Sequence, residues 1–146
     1  MSMVDVSSKP EVYREATARG LIKLKPQTVR LIKEGRIVKG DVFATARVAG
    51  ILAAKKTSSM IPLCHPLPLA NVEVKPEITA EDAVTVEVTV KARAQTGVEM
   101  EALTAAATAL LTVWDMTKQY EKDSRGQYPS TEIQDIHVVQ KIKRET

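Results

Sequence analysis

One cysteine, Cys64, stands in a chain of 146 residues. With no second thiol it closes no internal bridge, which excludes a disulfide-stapled scaffold and fits a reducing interior. A structural zinc site fails on count as well. Only two histidines accompany that cysteine, and His137 lies far along the sequence from the Cys64-His65 pair. Aromatic residues make up only 3% of the chain, with one Trp, three Tyr and one Phe. Single-strand nucleic-acid binders rely on aromatic stacking platforms, so this scarcity argues against that class. It also leaves the core to Val, Ile, Leu and many alanines, whose small side chains let elements approach closely and favour contacts between flat subunit faces. No apolar run approaches a membrane-spanning length, and no basic segment followed by an apolar run opens the chain. We therefore expect no membrane contact and a cytoplasmic location. The net charge of +3, from 21 basic and 18 acidic residues, is too small to imply nucleic acid and equally suits a phosphorylated metabolite. There is no internal repeat, no low-complexity segment and no Walker-type loop.

The length predicts one domain spanning residues 1–146, able to bury roughly two-thirds of its unfolded surface. Met3 to Ser8 alternates briefly before Lys9-Pro10 turns the chain, and Tyr13 to Leu24 reads as a strand or an irregular arm. Pro26 suits the first turn of a short helix over Gln27 to Glu34, stopped by Gly35. Asp41 is a plausible N-cap for a helix from Val42 to Lys56, whose face of Ala46, Ala49, Gly50 and Ala53 predicts a close neighbour. Thr57 to Leu69 holds three prolines, Pro62, Pro66 and Pro68, and is expected to be an extended loop. Asn71 to Ile78 and Ala83 to Gln95 alternate apolar and polar residues about an Ala80-Glu81-Asp82 turn, which is the pattern of an antiparallel hairpin with one buried face. Thr96-x-x-Glu99 has the form of a capping box, opening an Ala- and Leu-rich helix to about Gln119. A polar stretch, Glu121 to Thr131, precedes a last strand over Ile133 to Ile142. The order predicts an α+β fold, an antiparallel sheet with helices packed on one face.

Several ionisable residues exceed what packing requires. His65, in the proline loop, is a proton donor or phosphate ligand, since imidazole titrates near neutrality; otherwise it is a loop histidine bonded to a carbonyl. Cys64 has no activating base beside it and reads as an inert thiol rather than a nucleophile. Glu99 belongs to the capping box, whereas Glu101, two residues on, points to nearly the opposite side of the helix. Asp115 and Lys118 share a helix face three residues apart. They form either a surface ion pair or, with Trp114 and Met116 thinning the solvent around them, an acid–base pair acting on a substrate. Glu101 and Asp115 project within about 40° of each other but about 21 Å apart along the axis, so both cannot touch one reacting atom of one chain. The basic residues available to phosphate are Lys9, Arg14, Lys39, Arg47, Lys55 and Lys56. Lys39-Gly40-Asp41 stands out among them, because its glycine permits close backbone approach at a helix N-terminus. A charged, solvated turn is the plainer account.

Taken together, Met3-Val4-Asp5-Val6-Ser7, Lys39-Gly40-Asp41-Val42-Phe43-Ala44-Thr45-Ala46-Arg47, Ile61-Pro62-Leu63-Cys64-His65-Pro66-Leu67 and Thr96-Gly97-Val98-Glu99-Met100-Glu101-Ala102-Leu103-Thr104-Ala105 resemble the molybdenum-cofactor biosynthesis protein C family, the cyclic pyranopterin monophosphate synthases. Trp114-Asp115-Met116-Thr117-Lys118 is similar to that family's aromatic-Asp-Met-x-Lys. The chain departs from the family pattern at Trp114 and Thr117, where tyrosine and cysteine are common. It also has a long Glu121–Thr131 segment and lacks a Lys/Ser/Gly-rich tail. The resemblance implies a ferredoxin-like α+β fold and a homohexamer, a trimer of dimers with sites at subunit interfaces. The implied activity is that of a lyase, converting 3′,8-cyclo-7,8-dihydroguanosine 5′-triphosphate into cyclic pyranopterin monophosphate and pyrophosphate. A partner radical-SAM enzyme acting on GTP would supply the substrate. No resident cofactor or metal is implied, with magnesium accompanying the triphosphate an open alternative. Residue by residue, the resemblance implies Asp115, Lys118, Lys39 and His65 as catalytic. It places Leu63, Cys64, His65, Glu99, Met100 and Glu101 against the substrate, with Arg14 and Lys55 further candidates for the triphosphate. Two competing classes are a nucleotide sensor without catalysis, which would release its ligand unchanged, and an RNA-binding oligomer, whose affinity would fall steeply with salt.

Overall fold

The computed structural model describes residues 1–145. Strand β1 (Val12–Lys23) is followed by helices α1 (Pro26–Lys33), α2 (Val42–Lys55) and the single turn α3 (Thr57–Met60), then by strands β2 (Leu69–Ala80) and β3 (Ala83–Ala94). Helix α4 (Glu99–Glu121) and strand β4 (Glu132–Arg144) complete the described chain. The strands form one sheet of order β2-β3-β1-β4 with every neighbouring pair antiparallel. That is the ferredoxin-like α+β arrangement, in which β1 lies in the interior of the sheet rather than as an arm.

Alternation fixes the faces. Val84, Val86, Val88 and Val90 are fully buried on β3, while Thr85, Glu87, Thr89 and Lys91 line the other side. Ala16, Ala18 and Ile22 of β1 and Val74 of β2 join the buried face. Helix α4 covers it with Ala102, Ala105, Ala106, Ala109, Leu110 and Val113, all fully buried at helical spacing. The small residues set how closely α2 approaches. A Cβ at Gly50 would come within 2.9 Å of the Val74 side chain and 3.4 Å of the Ala105 carbonyl oxygen. Asp41 caps α2 as its position predicts, its carboxylate accepting from the Ala44 N–H at 3.0 Å. Gly35, with φ +68°, ends the α1 turn.

Strand β4 is the irregular member. Its pairing with β1 shifts register twice, once between Thr17 and Ala18 and again between Arg19 and Leu21, where Asp135 adopts φ +57°. Gly20 faces that second bulge, and a Cβ there would meet both Ile136 and Leu110 at 2.8 Å.

Three local expectations are corrected. Thr96 and Glu99 do not make a capping box: α4 starts after Val98 with no side-chain cap, because Glu99 is drawn instead to Lys141 of β4 at 2.5 Å. The proline loop is shorter than Thr57 to Leu69, since Thr57 to Met60 makes one helical turn, with Thr57 donating to the Ala53 carbonyl at 2.9 Å, and Leu69 already belongs to β2. Helix α4 runs past Gln119 and takes in the first residue of the polar stretch. Glu121 is the last helical residue and is fully buried, and Thr131 is nearly so.

Candidate active site

Ionisable side chains gather at both ends of α4. At the C-terminal end the turn after α1 brings Lys39 to the helix, a meeting that the Lys-Gly-Asp motif, read as a phosphate-binding turn, did not foretell. The Lys39 ammonium donates to the Asp115 backbone carbonyl at 2.9 Å and to its carboxylate at 3.1 Å. Lys118, one turn along, donates to the other carboxylate oxygen at 2.9 Å. Two ammonium groups thus share one carboxylate. The Lys118 bond, followed by that from Lys39, holds the Asp115 carboxyl below the usual carboxylate range, and Asp115 in turn raises the Lys118 ammonium. The setting is wetter than its apolar neighbours led us to expect, for the Asp115 side chain is 59% exposed. Lowering Asp115 and raising Lys118 both favour the charged pair, so Asp115 and Lys118 offer charge and a proton donor before they offer a base.

At the N-terminal end the balance reverses. A cleft of about 460 Å³ lies between the N-terminal arm (Val4, Val6, Lys9), the proline loop (Leu63, Cys64, His65) and the start of α4 (Gly97, Glu99, Met100). Glu101 sits beneath it, 3% exposed. One of its carboxyl oxygens takes the Cys64 thiol at 3.8 Å, and the other has no partner. Burial raises the Glu101 carboxyl, and burial together with the neighbouring Glu101 raises the Cys64 thiol, which keeps it protonated and unreactive. For Glu99 burial is the largest influence and acts in the same direction, but the Lys141 ion pair, a backbone hydrogen bond and the Arg14 charge together outweigh it and the carboxyl is lowered. His65 Nε2 lies 2.7 Å from the Val4 carbonyl. A carbonyl only accepts, so Nε2 carries the hydrogen and Nδ1 is left for another partner. The bland reading of His65 is therefore met, without using up the ring.

The structure brings Lys39, Asp115 and Lys118 together, and separately Leu63, Cys64, His65, Glu99 and Met100 with Glu101 below. Within one chain it does not unite the two groups, which stand about 21 Å apart along α4. Arg14 is 7% exposed and donates to the Ala94 and Gln95 carbonyls at 3.1 and 3.3 Å, bracing the strand end before α4. Lys55 lines a different depression with Ile51 and Asn71. Among the described residues no three His, Cys, Asp or Glu side chains are gathered as for a metal ion.

Sequence reasoning missed four participants. Lys141 reaches Glu99 from β4. Tyr128 packs edge-on against Trp114 at 5.1 Å beside Lys118, carried by a turn in which Asp123 accepts from the Arg125 and Gln127 N–H groups at 2.9 and 3.0 Å. Tyr120 accepts from the Val38 N–H at 2.9 Å. Glu121 accepts from Lys25 N–H, Thr28 and Thr131. Only Glu121 left a signal, because an acid in the last turn of a helix opposes the helix dipole and needs donors to hold it.

The sheet order and the two clusters define a ferredoxin-like α+β protein with ionisable side chains gathered at both ends of one helix. Compared with models of known families, residues 3–143 match the MoaC family, and the chain belongs to it. Its relatives include a protein of Sulfolobus acidocaldarius, 59% identical over 97% of this chain and 98% of its own length. Others are from Pyrococcus furiosus, 55% identical over 99% of this chain and 92% of its own, and Methanococcoides burtonii, 55% identical over 97% and 88%. Each is named a probable cyclic pyranopterin monophosphate synthase. The family resemblance seen in the motifs is borne out. No helix among the described residues is long and apolar enough to cross a membrane.

Proposed function

We propose that this protein is a cyclic pyranopterin monophosphate synthase, a lyase that rearranges 3′,8-cyclo-7,8-dihydroguanosine 5′-triphosphate and releases pyrophosphate in molybdenum cofactor biosynthesis. The observation that carries this reading is one carboxylate, Asp115, bonded to two ammonium groups. Opening the purine ring and rebuilding it as a pterin moves protons on and off nitrogen and carbon, and Lys118 with Asp115 is placed to give and receive them. Closing the cyclic phosphate joins a hydroxyl oxygen to the α-phosphorus and breaks its bond to the β-phosphate. The hydroxyl proton passes to a base, and pyrophosphate leaves with growing negative charge. Lys39 and His65 steady that charge. Leu63, Cys64, Glu99, Met100 and Glu101 shape the cleft for the rest of the ligand, and Lys55 is a further cation for the triphosphate.

The 21 Å separation supports a site completed between two chains, in a homohexamer built as a trimer of dimers. Val48 and Leu52 on α2 and Leu111 on α4, which present bulky apolar side chains to solvent in a single chain, also support association. A radical-SAM enzyme acting on GTP in the same cytoplasm supplies the substrate. No resident cofactor belongs to this reading, and any magnesium arrives with the triphosphate.

The test is to incubate the purified protein with the cyclised nucleotide and follow pyrophosphate, with and without EDTA. Release of one pyrophosphate per pterin formed supports the lyase. Recovery of the nucleotide unchanged makes the protein a sensor instead. Mixing inactive Lys118→Ala and His65→Ala chains should restore part of the turnover if each site draws on two chains; no restoration would refute shared sites.

A further inference from the structure

The turn that carries Lys39 has few anchors. Gly40 N–H donates to the Ile37 carbonyl at 3.1 Å, closing a four-residue turn whose first member is buried at 6% exposure. At its centre Val38 projects into solvent, 77% exposed, while Lys39 reaches back to Asp115. Tyr120 holds this centre from outside, its hydroxyl accepting from the Val38 N–H at 2.9 Å, while its ring packs against the hydrophobic core. Tyr120 lies five residues beyond Asp115 on α4, a rise of about 7.5 Å. The same rigid helix therefore carries the carboxylate that Lys39 reaches and the hydroxyl that fixes the backbone next to Lys39. A lysine on a loosely held turn would sample many rotamers, and pinning its backbone removes much of that freedom.

We propose that Tyr120 is a positioning residue, its hydroxyl holding the Val38–Lys39 turn so that the Lys39 ammonium stays on Asp115. The proposal rests on the lyase reading for its effect on turnover, though not for its geometry.

Tyr120→Phe tests it. The ring remains in the core, so the thermal midpoint should move by no more than about 4 °C. Two readouts decide. The first is the Lys39 ammonium resonance in ¹⁵N-labelled protein, assigned by its disappearance in Lys39→Arg. It is visible where bonding to Asp115 slows exchange with water and should be lost in Tyr120→Phe. The second is steady-state pyrophosphate release, where kcat should fall about three- to tenfold with KM held within about twofold. A resonance that persists in Tyr120→Phe overturns the proposal whatever happens to kcat. So does a lost resonance with unchanged kcat, since Lys39 placement would then not matter for turnover. Should the wild-type protein release no pyrophosphate at all, the lyase reading fails, and the ammonium resonance alone decides whether Tyr120 holds Lys39.

Discussion

The two ends of α4 treat the same kind of side chain in opposite ways. At the N-terminal end Glu101 is buried with one oxygen unpartnered, and its carboxyl is raised; at the C-terminal end Asp115 is exposed between two ammonium groups, and its carboxyl is lowered. One end favours the neutral carboxyl, and the other favours the charged one. The helix dipole alone would favour acids at the first end and cations at the last. The observed contrast comes instead from burial and from partners far away in sequence. An ionisable cluster is thus set less by the helix it stands on than by what the rest of the fold packs around it.

Substitutions can break this comparison one end at a time. The largest effect is expected for Lys118→Ala, which should lower pyrophosphate release about 10²- to 10⁴-fold. It should leave the urea midpoint nearly unchanged, because an exposed ion pair adds little to stability. Near-normal turnover in that variant would remove Lys118 from the mechanism. Glu121→Ala, one turn further on, should do the reverse and destabilise by about 3 kcal/mol in chemical denaturation, since it strands the donors of Lys25, Thr28 and Thr131. A loss below about 1 kcal/mol would show that water replaces the carboxylate there.

Glu101→Gln sharpens the other end. The fold raises this carboxyl above its ordinary value of 4.5, so the stability tied to its proton is complete below that pH and is lost as pH rises through the raised value. The glutamine variant should match wild type near pH 4 and exceed it by about 1 kcal/mol near pH 7. Parallel stability curves over that range would contradict a raised Glu101. Smallest of all, Lys141→Met should change stability by under about 1 kcal/mol. It should also move the Glu99 carboxyl upward in an NMR titration, because burial would then be opposed only by a backbone hydrogen bond and the more distant Arg14 charge. An unmoved Glu99 would show that Lys141 does not control it.

Much of the fold was legible because its signals are local. Valines alternating from Val84 to Val90 define a strand with one buried face, and Pro26, Gly35 and Asp41 mark helix ends through conformations and bonds made within a few residues. The same locality misled at Thr96 and Glu99, where a satisfied pattern lost to Lys141, 42 positions away. At the site, Lys39, Asp115 and Lys118 were identifiable as residues, but not as one cluster, since 76 residues separate Lys39 from Asp115. Tyr120 was invisible for a like reason. Its partner is a backbone N–H in a turn 82 residues earlier, and a backbone group has no sequence identity to read.

The double slip of register in β4 has a bearing on how copies of this chain meet. A straight outer strand invites a neighbour's strand to zip alongside it and extend the sheet without limit. Here the left-handed Asp135 and the bulge over Gly20 break that edge partway along. Open-ended stacking of copies along this edge would stall there.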